Sequence, residues 1–199
     1  MLLLLCGLAA PPSRAAADTA PSDARARGLA GSRTAAEASR LRAARRAAER
    51  RRLARRVAAA EARRRYWLRL MHRPLPPPPR VARLAPPDLE RAAEWRRRRA
   101  AALARLARHP PHLSGWHCIQ RHETGAPYPG WRTNSGNGYY GGLQLDRAFQ
   151  LAYGRWLYRH KGTADNWTPL EQIWTAEFAR AHGRGFAPWP HSAQACGLL

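Results

Sequence analysis

The 199-residue chain carries a formal charge of +22, with 35 Lys and Arg against 13 Asp and Glu, and this length allows one or two domains. Six of the eight tryptophans lie at or beyond Trp116, which excludes the Arg-, Ala- and Pro-rich first 111 residues as the main source of a core. No segment of the mature chain is apolar for long enough to span a bilayer.

Residues 112 to 199 hold eight Arg and Lys against five Asp and Glu, a net +3, which leaves 22 − 3 = +19 on residues 1 to 111. An excess of this size points to an anionic partner: nucleic acid, a membrane surface or an acidic cell-wall polymer. Lys161 is the only lysine. Arginine at nearly every other basic position, beside abundant Ala and Pro, also fits GC-rich coding and a solvated helical face.

The chain opens with "MLLLLCGLAAPPSRAAA", a short apolar run followed by small residues at Ala15 to Ala17. That pattern is read as a signal peptide over residues 1–17. Lipidation at Cys6 is the weaker alternative, because Leu5 is large for the position before a lipobox cysteine. Loss of Cys6 with the signal leaves Cys118 and Cys196. In an oxidising compartment such a pair favours a disulfide closing the domain; the alternative is two separate buried thiols.

Residues 18–111 read as a basic helical and linker region. From 34 to 72 the chain is rich in Ala and Arg and free of Pro and Gly, with Leu53, Val57, Ala60, Leu68 and Met71 on one stripe interrupted at Arg64. Both a coiled coil and an extended helix that packs on nothing fit this thin seam. "RPLPPPPR", Arg73 to Arg80, opens a proline-rich spacer over 73–87. A second helix is predicted from Asp88 as N-cap to about Arg108, with Leu89, Ala92, Ala93, Leu103 and Leu106 as its apolar members. Arg96 to Arg99 have the charge to meet phosphates, but no zipper repeat, zinc-finger spacing or aromatic RNA-binding motif accompanies them, so nucleic acid is the lesser candidate partner.

Residues 112–199 are the compact half. Ser114 is placed to cap a helix through "GWHCIQRHETG", on which Trp116, Ile119 and Glu123 share a face and Gly125 supplies the stop. Apolar neighbours and the partial negative charge of the last-turn carbonyls both favour a protonated Glu123. A protonated carboxyl is what a glycosidase uses to protonate a leaving oxygen. A surface glutamate at a helix end is the plainer reading. Glu171 completes a capping box with Thr168, Asp146 reads as an N-cap, Glu177 falls mid-helix and Asp165 sits in a polar loop, so no second carboxylate has an evident catalytic placement. His109 with His112, and His117 with His122, lack zinc-site spacing.

In "WRTNSGNGYYGGLQLD", Asn137-Gly138 marks a tight turn and Gly141-Gly142 would let backbone approach a ligand. Trp131, Tyr139 and Tyr140 offer flat faces, while Asn134 and Gln144 offer amides. Such a lining suits an uncharged ligand rich in hydroxyls and amides, a sugar included; aromatic core residues beside a glycine turn are the alternative.

This run resembles the "W-x-x-N-T-G-N-G-Y-Y-G-G-L-Q" segment of resuscitation-promoting factors, transglycosylase-like domains of lysozyme-like fold that cleave bacterial peptidoglycan. The resemblance covers Trp116 to about Leu198 and includes the Trp116 to Glu123 spacing, Glu171-Gln172 and "GRGFAPWP". It implies an α+β, mainly α architecture, with a lysozyme-like C-terminal domain preceded by Arg/Ala-rich helical and Pro-rich segments. It places Glu123 as the catalytic acid on the bond between N-acetylmuramic acid and N-acetylglucosamine. Trp131, Asn134, Tyr140, Gly141, Gly142 and Gln144 would lie along the glycan strand, with no cofactor and no metal. Hydrolysis and transfer to the muramyl 6-hydroxyl are both open to a single glutamate.

The chain departs from the family in several places. Where the family often has Cys just before the catalytic Glu and again soon after "WP", this chain has His122, with Cys118 one helical turn earlier and Cys196 later than expected. A displacement at both ends is easiest to understand if the pair still bonds. "ETGAPYPGW" is three residues longer than the usual spacing, and His117 replaces an acidic residue. The reading is a secreted wall-cleaving enzyme acting on peptidoglycan glycan strands, its basic arm held by anionic wall polymers. The competing reading is an inactive wall- or polyanion-binding protein.

Overall fold

The computed structural model describes residues 20–125, 130–134 and 136–199, with side chains from residue 34 onward. The predicted signal segment and Cys6 lie outside the described residues. Two units are distinguished, Met1–Glu49 and Arg50–Leu199. Helix α1 (Ala20–Leu70) begins earlier than the Pro- and Gly-free window predicts. Pro21 falls in the first turn, where its missing N–H is tolerated, and Gly28 and Gly31 each cost only about 1 kcal/mol against alanine.

Within the larger unit the chain turns at His72, whose φ is +53°, and Pro74 follows. The proline spacer is tied back to the helix by Arg65 Nη1, which donates to the Pro76 carbonyl at 2.7 Å. Helix α2 (Pro86–Ala107) has Pro86 and Pro87 in its first turn and Ala85 as N-cap. Asp88 is therefore inside the helix, paired with Arg91, and does not cap it. Proline has no N–H to leave unsatisfied, so the two prolines can occupy that turn.

The alanine seam is filled from within the chain. Leu53 and Val57 of α1 pack on Leu89 and Ala93 of α2, closed over by Val81 and Leu84. Beside them Glu61, 5% exposed, accepts from Arg64 and lies 3.3 Å from Arg96 Nε. Further along, Leu68, Leu70 and Met71 are buried as well.

Among the described residues the C-terminal half is mainly α with one small antiparallel sheet, the α+β class expected from the sequence. Its elements are helices α3 (Leu113–Thr124), α4 (Arg147–Tyr153), α5 (Arg155–Lys161), α6 (Pro169–Ala179) and α7 (Pro190–Ala195), with strands β1 (Tyr139–Tyr140) and β2 (Leu145–Asp146) between α3 and α4 in the chain. The register is Tyr139 opposite Asp146 and Tyr140 opposite Leu145. Asp146 caps α4, accepting from Phe149 N at 2.6 Å, and Thr168 with Glu171 forms the capping box of α6.

Trp116, Ile119, Leu143, Leu145, Trp167, Ile173 and Trp189 form the core. An indole can be buried without penalty only if its N–H finds an acceptor. Here Trp116 donates to Glu177 Oε1 at 2.7 Å, Trp167 to the Gly162 carbonyl at 2.9 Å and Trp189 to the Leu143 carbonyl at 2.7 Å. Cys118 of α3 is bonded to Cys196 just after α7, with Cα atoms 5.9 Å apart. This bond joins the two ends of the C-terminal half.

Polar contacts seat the end of the α1/α2 hairpin on that half. Tyr66 donates to Glu171 Oε1 at 2.8 Å and meets Trp156 edge-on at 5.8 Å. Trp174 Nε1 donates to the Ala107 carbonyl at 2.8 Å. Glu171 is fully buried and also accepts from Lys161 Nζ and from Thr168 N, each at 2.8 Å. Burial alone would raise its titration point. Lys161, the Thr168 N–H and the Tyr66 hydroxyl outweigh burial and hold it below the usual carboxylate range. Burial, then Glu171 itself, pushes the Tyr66 phenol up.

Glu177 is built the same way. Its Oε1 takes His112 N at 3.0 Å, His112 Nδ1 at 2.8 Å and the Trp116 indole, and Oε2 takes Arg180 Nε at 2.9 Å. Against the upward pull of burial, these donors depress its titration. Two carboxyls that titrate lower folded than unfolded contribute stability above the unfolded value of 4.5. They lose it as pH falls through the lower folded values. The melting temperature is therefore expected to drop steeply below pH 4.5, and less steeply in Glu171→Gln. Equal acid sensitivity of variant and wild type in thermal scans would contradict this.

Candidate functional site

Helix α3 starts at Leu113 with His112 as N-cap, so Ser114 lies within it and does not cap it. The reason is Glu177, which holds both the backbone N–H and the ring of His112 at the helix entrance. Trp116 and Ile119 are fully buried, and Glu123, one turn on, is half-buried. The helix stops at Gly125, whose φ is +73°.

Glu123 Oε1 accepts a hydrogen bond from Ser192 Oγ, a side chain of α7 only 6% exposed. The sequence reading missed this residue. The signal was present in the cysteines: Ser192 stands four residues before Cys196, on the helix that the disulfide fastens to α3.

The segment that follows is folded around two buried amides. Gln172, fully buried on α6, donates from Nε2 to the carbonyls of Trp131 (2.7 Å), Ala164 (3.0 Å) and Trp167 (3.2 Å), and accepts from Leu143 N at 3.4 Å. Gln120, on α3, donates to Thr124 Oγ1 at 2.9 Å and to the Gly125 carbonyl at 3.4 Å. Buried polar groups are as a rule hydrogen-bonded, and through these bonds both amides are.

These amides explain the glycines. Gly141 has φ +76°, and a Cβ there would stand 2.4 Å from Gln172 Oε1; one at Gly142 would stand 2.8 Å from Gln120 Cγ and Trp131 Cε3. Close approach is required here by the protein's own side chains, before any ligand is considered.

The predicted sugar-lining residues come together in this one segment. Asn134 bridges Tyr140 across the bend that contains Asn137-Gly138, and its Oδ1 accepts from Gly136 N at 3.3 Å. Gln144, at φ +48°, donates to the Gly141 carbonyl at 2.8 Å. Trp131 and Tyr140 are part-buried against the core, while Tyr139 is 47% exposed. Trp131 also meets the His117 ring edge-on, centroids 5.6 Å apart, which sets it beside α3. Burial, and then the Arg121 charge, lowers the titration of His117, so the imidazole packs against the indole in its neutral form near pH 7. The longer spacing between Glu123 and Trp131 includes residues 126–129, which lie outside the described residues.

Among the described residues, Cys118, His122 and Cys196 are the one group of three potential metal-ligand side chains with donor atoms close together, within 4.8 Å. The disulfide occupies both sulfurs. A cavity of about 430 Å³ lies elsewhere, between α1 and α2, lined by alanines together with Arg56, Arg63, Trp67, Glu94 and Arg97. Among the described residues, no helix is long and apolar enough to cross a membrane.

Residues 111–192 match the family model described as a transglycosylase-like domain. Resuscitation-promoting factor Rpf1 of Corynebacterium glutamicum is 34% identical over 88 residues, which is 43% of this chain and 41% of that protein. The matched stretch thus covers about two-fifths of the length of this curated relative. Over these residues the C-terminal half is similar to transglycosylase-like domains and to a resuscitation-promoting factor.

Gly141→Ala is expected to destabilise the fold by about 3 kcal/mol, from the left-handed backbone and the displaced Gln172 amide together. Urea unfolding measures it, and an unchanged midpoint would show that Gln172 can move aside freely.

Proposed function

We propose that the chain is a secreted enzyme that cleaves peptidoglycan at the bond between N-acetylmuramic acid and N-acetylglucosamine, with Glu123 as its acid and base. The observation that carries this reading is the setting of Glu123. It is half-buried at the end of an apolar stripe and, among the described residues, receives a single hydroxyl donor. Glu171 and Glu177, the buried carboxylates of α6, are each surrounded by three or more donors and serve the fold. One glutamate therefore performs both proton transfers.

In the first step Glu123 protonates the glycosidic oxygen, and the bond to the muramyl C1 breaks with its electron pair moving to that oxygen. Glu123, now ionised, takes a proton from water or from the muramyl C6 hydroxyl as that oxygen attacks C1. Water gives a reducing end and the 6-hydroxyl gives a 1,6-anhydro product. Trp131 and Tyr140 would face the sugar rings, with Asn134 and Gln144 meeting amides and hydroxyls along the strand.

Residues 1–17 form the signal peptide of this proposal, 18–111 the basic arm and 112–199 the catalytic domain. The arm holds anionic wall polymers through exposed arginines such as Arg45, Arg46, Arg51 and Arg52. Because Tyr66, Leu68 and Met71 are buried or half-buried and the seat on Glu171 involves Tyr66, tests belong on the chain with its hairpin intact.

Digestion of purified peptidoglycan, with released muropeptides analysed by mass, is expected to give soluble products from the wild type. Glu123→Gln should release at least about 100-fold less. Retained wall binding with no release by the oxidised wild type would favour the inactive binding protein. Replacing Arg45, Arg46, Arg51 and Arg52 by Gln is expected to weaken wall binding at low salt and flatten its salt dependence. Binding that is unchanged at every ionic strength would remove the arm from the proposal.

A further inference from the structure

A carboxyl group that gives up a proton and later takes one back reacts faster when one oxygen stays oriented toward the substrate. The terminal torsion of a glutamate is broad and nearly two-fold, so nothing in the side chain itself distinguishes Oε1 from Oε2. We infer that Ser192 is a positioning residue that makes this distinction. Its hydroxyl holds Oε1 and leaves Oε2 to carry the proton. This rests on the reading of Glu123 as the acid.

Three observations support the assignment. The Ser192 hydroxyl donates to Oε1 from a side chain almost fully removed from solvent, so bulk water does not readily replace it. Ser192 is also fixed at both ends of its short helix. Before it, the Trp189 indole is anchored on the Leu143 carbonyl; after it, the Cys196 N–H returns to the Ser192 carbonyl at 3.0 Å and the sulfur is bonded to Cys118 on α3. The helix that supplies the hydroxyl and the helix that supplies the carboxyl are thus covalently joined.

The chemistry is consistent through the whole cycle. A carboxyl protonated on Oε2 keeps Oε1 as an acceptor, and so does the ionised carboxylate. The Ser192 hydrogen bond therefore survives while the proton leaves Oε2 for the glycosidic oxygen and another arrives there from the attacking hydroxyl or water. Ser192 itself exchanges no proton with the substrate.

The test compares Ser192→Thr with Ser192→Val in the full chain, because these side chains share a shape and differ in the hydroxyl. Turnover of purified peptidoglycan is expected to be about tenfold lower for Val than for Thr, with KM within about twofold and equal melting temperatures. Equal turnover of the two, or a loss confined to KM, would overturn the assignment. If neither β-branched variant folds, Ser192→Ala against wild type carries the same comparison and the same outcomes. Glu123→Gln, run in parallel, separates the two claims. Full activity there would remove Glu123 as the acid and the Ser192 assignment with it. An inactive Glu123→Gln beside equal Thr and Val variants would remove Ser192 alone.

Discussion

The side-chain amide of Gln172 is the interaction on which the rest of the domain depends. From one position on α6 it reaches the Trp131 carbonyl, the Leu143 N–H between β1 and β2 and the carbonyls of Ala164 and Trp167. Those groups belong to segments with little regular structure of their own. The Ala164 carbonyl also accepts from Trp167 N; the other three groups would cost about 1–3 kcal/mol each if buried unpaired. A single amide resolves them together, and Gly141 is the residue that lets the backbone reach it. The shape of the proposed sugar-lining segment is therefore a consequence of polar satisfaction in the core.

Charge has two separate roles in this chain. On α1 the exposed arginines at 45, 46, 51 and 52 are solvated, and their effect is long-range and screened by salt. At the seat of the hairpin the effect is short-range: Lys161 and Tyr66 converge on Glu171 inside the protein. A buried carboxylate with fewer donors would be protonated or would resist burial. The basic composition masks this difference, because net charge counts both kinds alike.

Features set by neighbouring residues were legible in the sequence. Asp146 as a cap, Thr168 with Glu171 as a capping box, Gly125 as a stop and the stripe from Trp116 to Glu123 all depend on residues within one or two turns. The displaced cysteines were legible as a pair because both ends had moved, Cys118 by one helical turn, which keeps a side chain on roughly the same helix face. What escaped the reading was polar contact over long separations. Ser192 with Glu123, His112 with Glu177 and Tyr66 with Glu171 are 69, 65 and 105 residues apart, and a lone polar residue in a helix has no periodicity to announce its partner. The same lack hid the seat of the hairpin, since Tyr66 and Trp67 interrupt an alanine-rich stretch without repeating. Gln172 was noticed for its place in a motif, but its burial follows from the fold.

Lys161 gives the structure an internal chemical reporter. It is the only lysine in the chain, and its ammonium group is bound to the buried Glu171 with about a third of its side chain exposed. An ammonium held in that pairing must release its partner and lose a proton before it can attack an acylating reagent. The rate at which an amine-selective label enters at Lys161 therefore measures how often the Glu171 cluster opens. Mass spectrometry would read that frequency at one site, without interference from any other ε-amine.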